Sequence, residues 1–150
     1  MQSKSIPTPV YDLKENQFWT PNKAEWMDVP VFKPGAKMKV IHGDPANGPS
    51  DLYVWFPKNY GVQWHFHTPT ERLFMQTGTL ELEIRETGQN LTVVPGGFVL
   101  APSRSVHRAT CKGADDCYFF LHSTGPFDIN IVDETGKVIK SGPNPVVARK

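Results

Sequence analysis

The chain reads as an all-β domain, a sandwich or barrel built of short strands. Three observations carry that reading. From residue 37 on, runs rich in β-branched and aromatic residues follow one another at short intervals: KMKVIHG, DLYVWFP, RLFMQTG, TLELEIRE, LTVVPGG, FVLAP, VHRATC, CYFFLHS and DINIVDE. Gly, Pro, Asn or Asp bounds them, as expected of strands between turns. No segment keeps a helical period over a useful length, whereas LELEIR alternates strictly, the pattern of a half-buried strand. Fourteen prolines and twelve glycines punctuate 150 residues, which suits many short strands better than long helices.

In chain order, residues 1–36 are Pro-rich and irregular, with Pro7, Pro9, Pro21, Pro30 and Pro34. They also carry Tyr11, Phe18, Trp19, Trp26 and Phe32, so we expect an arm that packs on the barrel or on a partner subunit, with one or two short edge strands. Residues 37–150 then form a single domain of about nine or ten strands. ETGQN and KGADD look like hairpin loops. Tyr53, Trp55, Phe98, Tyr118, Phe119 and Phe120 are read mostly as core, a minority walling an apolar pocket.

Charge excludes some functions. Lys+Arg is 16 against 15 for Asp+Glu, a formal net charge of +1, with no basic cluster for nucleic acid or an anionic membrane. No apolar run is long enough to span a bilayer, and MQSKSIPTPV is not a signal peptide. The expected location is cytoplasmic, or periplasmic if a leader was removed from a longer precursor. Cys111 and Cys117 flank KGADD and belong to no CxxC pattern. Across a hairpin they suit a disulfide and an oxidising compartment; otherwise they are two small buried thiols.

Residues 65–71 read HFHTPTE. In a strand, His65 and His67 point to one face, and two inward imidazoles call for something to bind between them. A metal ion meets that need, although HxH alone reads more simply as a polar strand edge. Thr68, Pro69 and Thr70 make a turn, and Glu71 opens the next strand, where its carboxylate reaches back. Gln63 shares parity with the two histidines and is expected to face inward, as a candidate catalytic residue beside Glu71 or as a solvated residue at the barrel mouth. Trp64 and Phe66 point away, and Leu73 and Met75 are read as core. Arg104 is read as solvent-facing, and His42 and His122 as structural or surface residues.

Two stretches resemble the two motifs of the cupin superfamily. HFHTPTERLFMQTG, His65 to Gly78, matches HxHx(3)Ex(6)G, and GGFVLAPSRSVH, Gly96 to His107, matches Gx(5)P followed by a histidine. There are departures. Asn59 stands where the family often has a glycine, Arg104 replaces the glycine after the second-motif proline, and Cys111 replaces an asparagine. TGPFDINIVDETGKVI resembles the closing segment of small single-domain bacterial cupins, some of them akin to acetylacetone dioxygenase.

The resemblance implies a double-stranded β-helix, the cupin jelly-roll barrel. It makes His65, His67, Glu71 and His107 the metal ligands, with Glu71 beside the ion in some relatives instead of on it. Two positions of an octahedron stay open. The implied function is a metal-dependent oxygenase acting on a small carbonyl or aromatic compound, with Fe(II) as metal and Zn, Ni or Mn as alternatives. The competing readings are a non-oxidative isomerase or decarboxylase and a non-catalytic metal-binding sensor. The implied assembly is a homodimer.

Overall fold

The computed structural model describes residues 25–143. Twelve strands follow one another: β1 (Met27–Asp28), β2 (Lys37–Gly43), β3 (Ser50–Phe56), β4 (Gly61–Phe66), β5 (Glu71–Thr77), β6 (Thr79–Ile84), β7 (Asn90–Val93), β8 (Phe98–Ala101), β9 (His107–Lys112), β10 (Cys117–Ser123), β11 (Asp128–Val132) and β12 (Val138–Pro143). They form two six-stranded sheets in the orders β1-β2-β3-β10-β5-β8 and β12-β11-β4-β9-β6-β7. Each pairing is antiparallel. The result is an all-β jelly roll whose core lies between the sheets.

The runs read from the sequence coincide with strands, and β1 and β12 add to the expected number. Of the expected arm, residues 1–24 lie outside the described residues, while Met27 and Asp28 form the edge strand β1 and pair with Met38 and Lys37 of β2.

Alternation sets what is buried. In β3, Ser50, Leu52, Val54 and Phe56 face in, and β10 does the same with Cys117, Phe119, Leu121 and Ser123. The aromatics at the other parity therefore face out, which corrects the expectation that most of them are core. Tyr53, Trp55, Tyr118 and Phe120 are half-buried on the outer face of the first sheet, and only Phe119 of the six is buried. Phe98 packs on Phe74 on that same outside, with ring centroids 4.8 Å apart. The interior is dominated by aliphatic residues such as Leu52, Leu80, Ile129 and Ile131.

ETGQN is a hairpin loop, since β6 pairs with β7. KGADD is not. β9 pairs with β4 and β6 in one sheet, while β10 pairs with β3 and β5 in the other. The segment between them crosses from sheet to sheet. Cys111 and Cys117 are joined by a disulfide, Cα atoms 5.8 Å apart, which ties the sheets together at that crossing instead of bridging two paired strands.

A second crossing runs alongside. Gly78 carries the chain from β5 in one sheet to β6 in the other, at φ 79°. A Cβ there would sit 2.4 Å from the Asp116 carbonyl oxygen. Only glycine fits both the left-handed backbone and that close approach.

Candidate metal centre

His65 lies on β4 directly opposite His107 at the start of β9. His67 follows β4 by one residue. Glu71 opens β5 in the facing sheet. Three histidines of one sheet thus meet a carboxylate of the other. All four are buried.

Local hydrogen bonds fix each ring. His65 Nδ1 donates to Gln63 O (2.7 Å), His67 Nδ1 to Asp128 O (2.6 Å) and His107 Nδ1 to Ser105 O (3.0 Å). A carbonyl oxygen only accepts, so each Nδ1 carries the proton and each Nε2 keeps a lone pair. One ligand atom from each of His65, His67 and His107 lies within 4.8 Å of the others. Three histidines are therefore positioned to bind a metal ion.

The electrostatics agree. Burial, reinforced by the charges of His107 and His67, holds His65 well below the ordinary imidazole range. Burial takes His67 down to about 4 and lowers His107 as well. The rings are neutral, which is the form a metal needs. Glu71 is the converse case: burial pushes its carboxyl up to about 7. Its Oε2 stands 3.0 Å from His67 Nε2 yet finds no hydrogen-bond partner among the described residues. A carboxylate oxygen and an imidazole lone pair at that distance repel unless a cation or a proton lies between them. Neutral imidazoles plus one orphaned buried carboxylate fit a divalent ion.

The four residues line an inner chamber of about 40 Å³, walled by Phe32, Leu80, Ala109 and Phe127 among others. A second cavity, about 410 Å³, meets it at Glu71, Leu73, Leu82 and His107.

Gln63 does not share the inward face. β4 and β9 shift register between Val62 and His65, so three steps on β4 match two on β9. This bulge inserts one residue and breaks the parity. Val62 and His65 both face in, and the Gln63 side chain is exposed, lining a separate groove with Tyr60 and Ile139. What Gln63 offers the site is its backbone carbonyl. Trp64 lies on the outside between Arg85 and Arg108, each 4.6 Å from its ring.

Leu73 and Met75 are buried as expected, and Leu73 also lines both cavities. Arg104 is exposed, its guanidinium 5.6 Å over the Phe66 ring. His122 Nδ1 lies 2.7 Å from Asp51 Oδ1 and His42 Nδ1 3.5 Å from Asp51 Oδ2, away from the metal-binding cluster. Sequence reasoning missed Asp128. Its backbone oxygen holds His67, while its carboxylate accepts from Thr68 N (2.7 Å) and Thr68 Oγ1. No short-range pattern links positions 67 and 128, so nothing in the motif announces it.

A jelly roll that gathers three histidines and a glutamate between its sheets defines a cupin. More particularly, the chain belongs to the ChrR cupin-like domain family, whose model matches residues 14–128. Solved structures agree on the fold. An RmlC-like cupin from Ralstonia eutropha superposes with a TM-score of 0.69 at 17% identity, covering 86% of this chain and 80% of that one. An acetylacetone dioxygenase from Acinetobacter johnsonii gives 0.64 at 17% identity, covering 93% and 92%. KdgF from a Halomonas species gives 0.58 at 23% identity, covering 72% and 94%. No curated protein matches the chain. No helix among the described residues is long and apolar enough to cross a membrane.

Proposed function

We propose that this chain is a metal-dependent cupin enzyme, an Fe(II) oxygenase acting on a small carbonyl compound. One observation carries the reading: the metal-binding chamber shares Glu71, Leu73, Leu82 and His107 with a second cavity large enough for an organic molecule. A purely structural ion needs no such space. The fold shared with the acetylacetone dioxygenase from Acinetobacter johnsonii supports the choice of chemistry.

When bound, the ion supplies a Lewis acid and, if it is iron, a redox partner for dioxygen. The protein does the rest. His65, His67 and His107 present neutral Nε2 atoms held by their carbonyl partners. Glu71 holds the ion or, beside it, a proton. Leu73 and Leu82, apolar walls common to both cavities, keep water from the site, so polar contacts inside act without its screening. For assembly we propose a second copy of the chain as partner. The outer face of the first sheet supports this, with Phe74, Phe98 and Leu100 at 45%, 50% and 46% exposure. A light-scattering mass of one chain removes that part.

The test is elemental analysis of chelator-free protein, wild type and His107→Ala in parallel, followed by an oxygen electrode with β-dicarbonyl compounds. Near-stoichiometric iron, lost in the variant, with oxygen uptake by the wild type, is the expected result. Full metal content in His107→Ala overturns the site. Zinc, nickel or manganese in place of iron, with no oxygen uptake after iron loading, overturns the oxygenase.

A further inference from the structure

We propose that the cavity beside the metal chamber selects an uncharged, compact aliphatic compound, its oxygen-donor end at Glu71 and His107. This deepens the proposed function and rests on it only for the donor end.

The walls carry the argument. Leu73, Leu82, Ile84, Leu91, Val99 and Ala101 line the cavity, and among the described residues no Phe, Tyr or Trp does. Parity accounts for it: Leu82 and Ile84 share one face of β6, and Leu91 stands opposite Leu82 on β7. Its volume, about 410 Å³, is near the small end of the range for small-molecule sites, roughly 300–1,000 Å³. A ligand held here is held chiefly by hydrocarbon contact.

The polar groups at the rim are already engaged. Both Glu86 carboxylate oxygens accept from Val106 N, and Oε1 also accepts from Ser105 Oγ. Ser103 Oγ donates to Thr68 O, and Ser103 N to Thr70 Oγ1. Thr87 Oγ1 donates to Gln89 Oε1. The one arginine of the lining, Arg104, stacks on Phe66. Among the described residues no lysine lines the walls, while Glu71 and Glu86 both do. A ligand with a carboxylate or phosphate at its outer end would set that charge against leucines or Glu86, with Arg104, turned onto Phe66, the one arginine or lysine of the lining among the described residues. A neutral chain loses nothing there.

Two probes isolate this point. Butyl methyl ketone and the analogue whose terminal methyl is a carboxylate share a length and a ketone oxygen. Binding is read on the full chain by NMR of methyl-labelled leucine and valine, with metal content measured on the same sample. The neutral ketone should shift Leu73, Leu82, Leu91 and Val99 and bind at least about tenfold tighter than its acid analogue. In Val99→Lys, which adds a cation to the wall and touches no ligand residue, the preference should narrow or invert. Leu91→Trp, which fills the cavity, should weaken both probes.

Equal binding of the two probes by the wild type, or shifts outside these four residues, overturns the proposal. The two readings fail separately. Full metal content in His107→Ala together with a preference for the neutral ketone sinks the metal reading and leaves this one standing. Metal-loaded protein that takes the acid equally well does the reverse.

Discussion

Glu71 Oε2 lies 3.0 Å from His67 Nε2, and the imidazole has no proton there to give, because its Nδ1–H is donated to Asp128 O. In the metal-free chain the proton between them must come from the carboxyl, and burial pushes that group up to about 7 from 4.5. A carboxyl raised in the fold binds its proton more tightly folded than unfolded. Its contribution is therefore complete below the unfolded value and lost as pH rises through the folded one. The histidines work the other way: held low in the fold, they take up protons on unfolding and weaken the protein as pH falls below their ordinary 6.5. The two effects oppose each other between 4.5 and 6.5, and above that Glu71 acts alone. Metal-free wild type should lose stability in urea melts as pH rises from 6.5 to beyond 7, whereas Glu71→Gln should stay flat across that window. Parallel curves would show that Glu71 is ionised in the fold.

Asp128 fastens the turn after the histidine pair, through its backbone oxygen to His67 and its carboxylate to Thr68. Asp128→Ala keeps the backbone oxygen but releases Thr68, so the His67 ring loses its fixed aim. Removing such a support beside a metal site lowers affinity by about 10–100-fold. Metal competition titrations should place Asp128→Ala in that range, with stoichiometry unchanged and Asp128→Asn between it and wild type. Wild-type affinity in Asp128→Ala would mean that the backbone bond alone orients the ring.

Much of this was legible in residues 61–107, and the failures have physical causes. His65, His67 and Glu71 are brought together by a strand, a turn and a strand, while the four as one ligand set, His107 above all, came only from the resemblance to the cupin motifs. Gln63 was misassigned because parity holds only in an unbroken ladder, and the bulge before His65 depends on β9, a partner forty residues away in the chain. The Tyr53, Trp55, Tyr118 and Phe120 set was misplaced for a related reason. Composition marked β3 and β10 as strands, but either parity of SDLYVWF or CYFFLHS offers an apolar face. The choice was made by what the opposite sheet presents. KGADD has the composition of a hairpin loop, and composition does not say which sheet each flanking strand will join.

Arg104 occupies a left-handed conformation, φ 65°, as Asn59 does at φ 70°. Both stand where the resemblance to the cupin motifs leads one to expect glycine. Asparagine tolerates this region; arginine is strained in it by about 1–2 kcal/mol, against the smaller entropy glycine loses on folding. Arg104→Gly should therefore gain about 0.5–1 kcal/mol in urea midpoint analysis. The Arg104 N–H bond to His67 O, 2.9 Å, is a backbone bond and survives the change. Arg104→Ala should gain nothing, since its Cβ keeps the strain. If alanine stabilises as much as glycine, the effect belongs to the charge and not to the backbone.

The disulfide closes a short loop, with a sequence separation of 6 between Cys111 and Cys117. Loop-closure entropy alone then contributes about 2 kcal/mol. Its location adds a second effect, because both sulfurs are fully buried at the point where the chain leaves one sheet for the other. Gly78 makes the neighbouring crossing against Asp116, so slack in the Cys111–Cys117 segment is felt at the start of β6 and, along β6, at Leu82 beside the metal chamber. Cys111→Ala/Cys117→Ala should lose about 2 kcal/mol relative to the oxidised chain, and wild type in reductant should lose a similar amount. Metal stoichiometry should hold in both, because no ligand lies within the loop. A double variant as stable as the oxidised protein, or no change on reduction, would mean that the two sheets are held at this end by packing of Leu80, Phe56 and Phe119 alone.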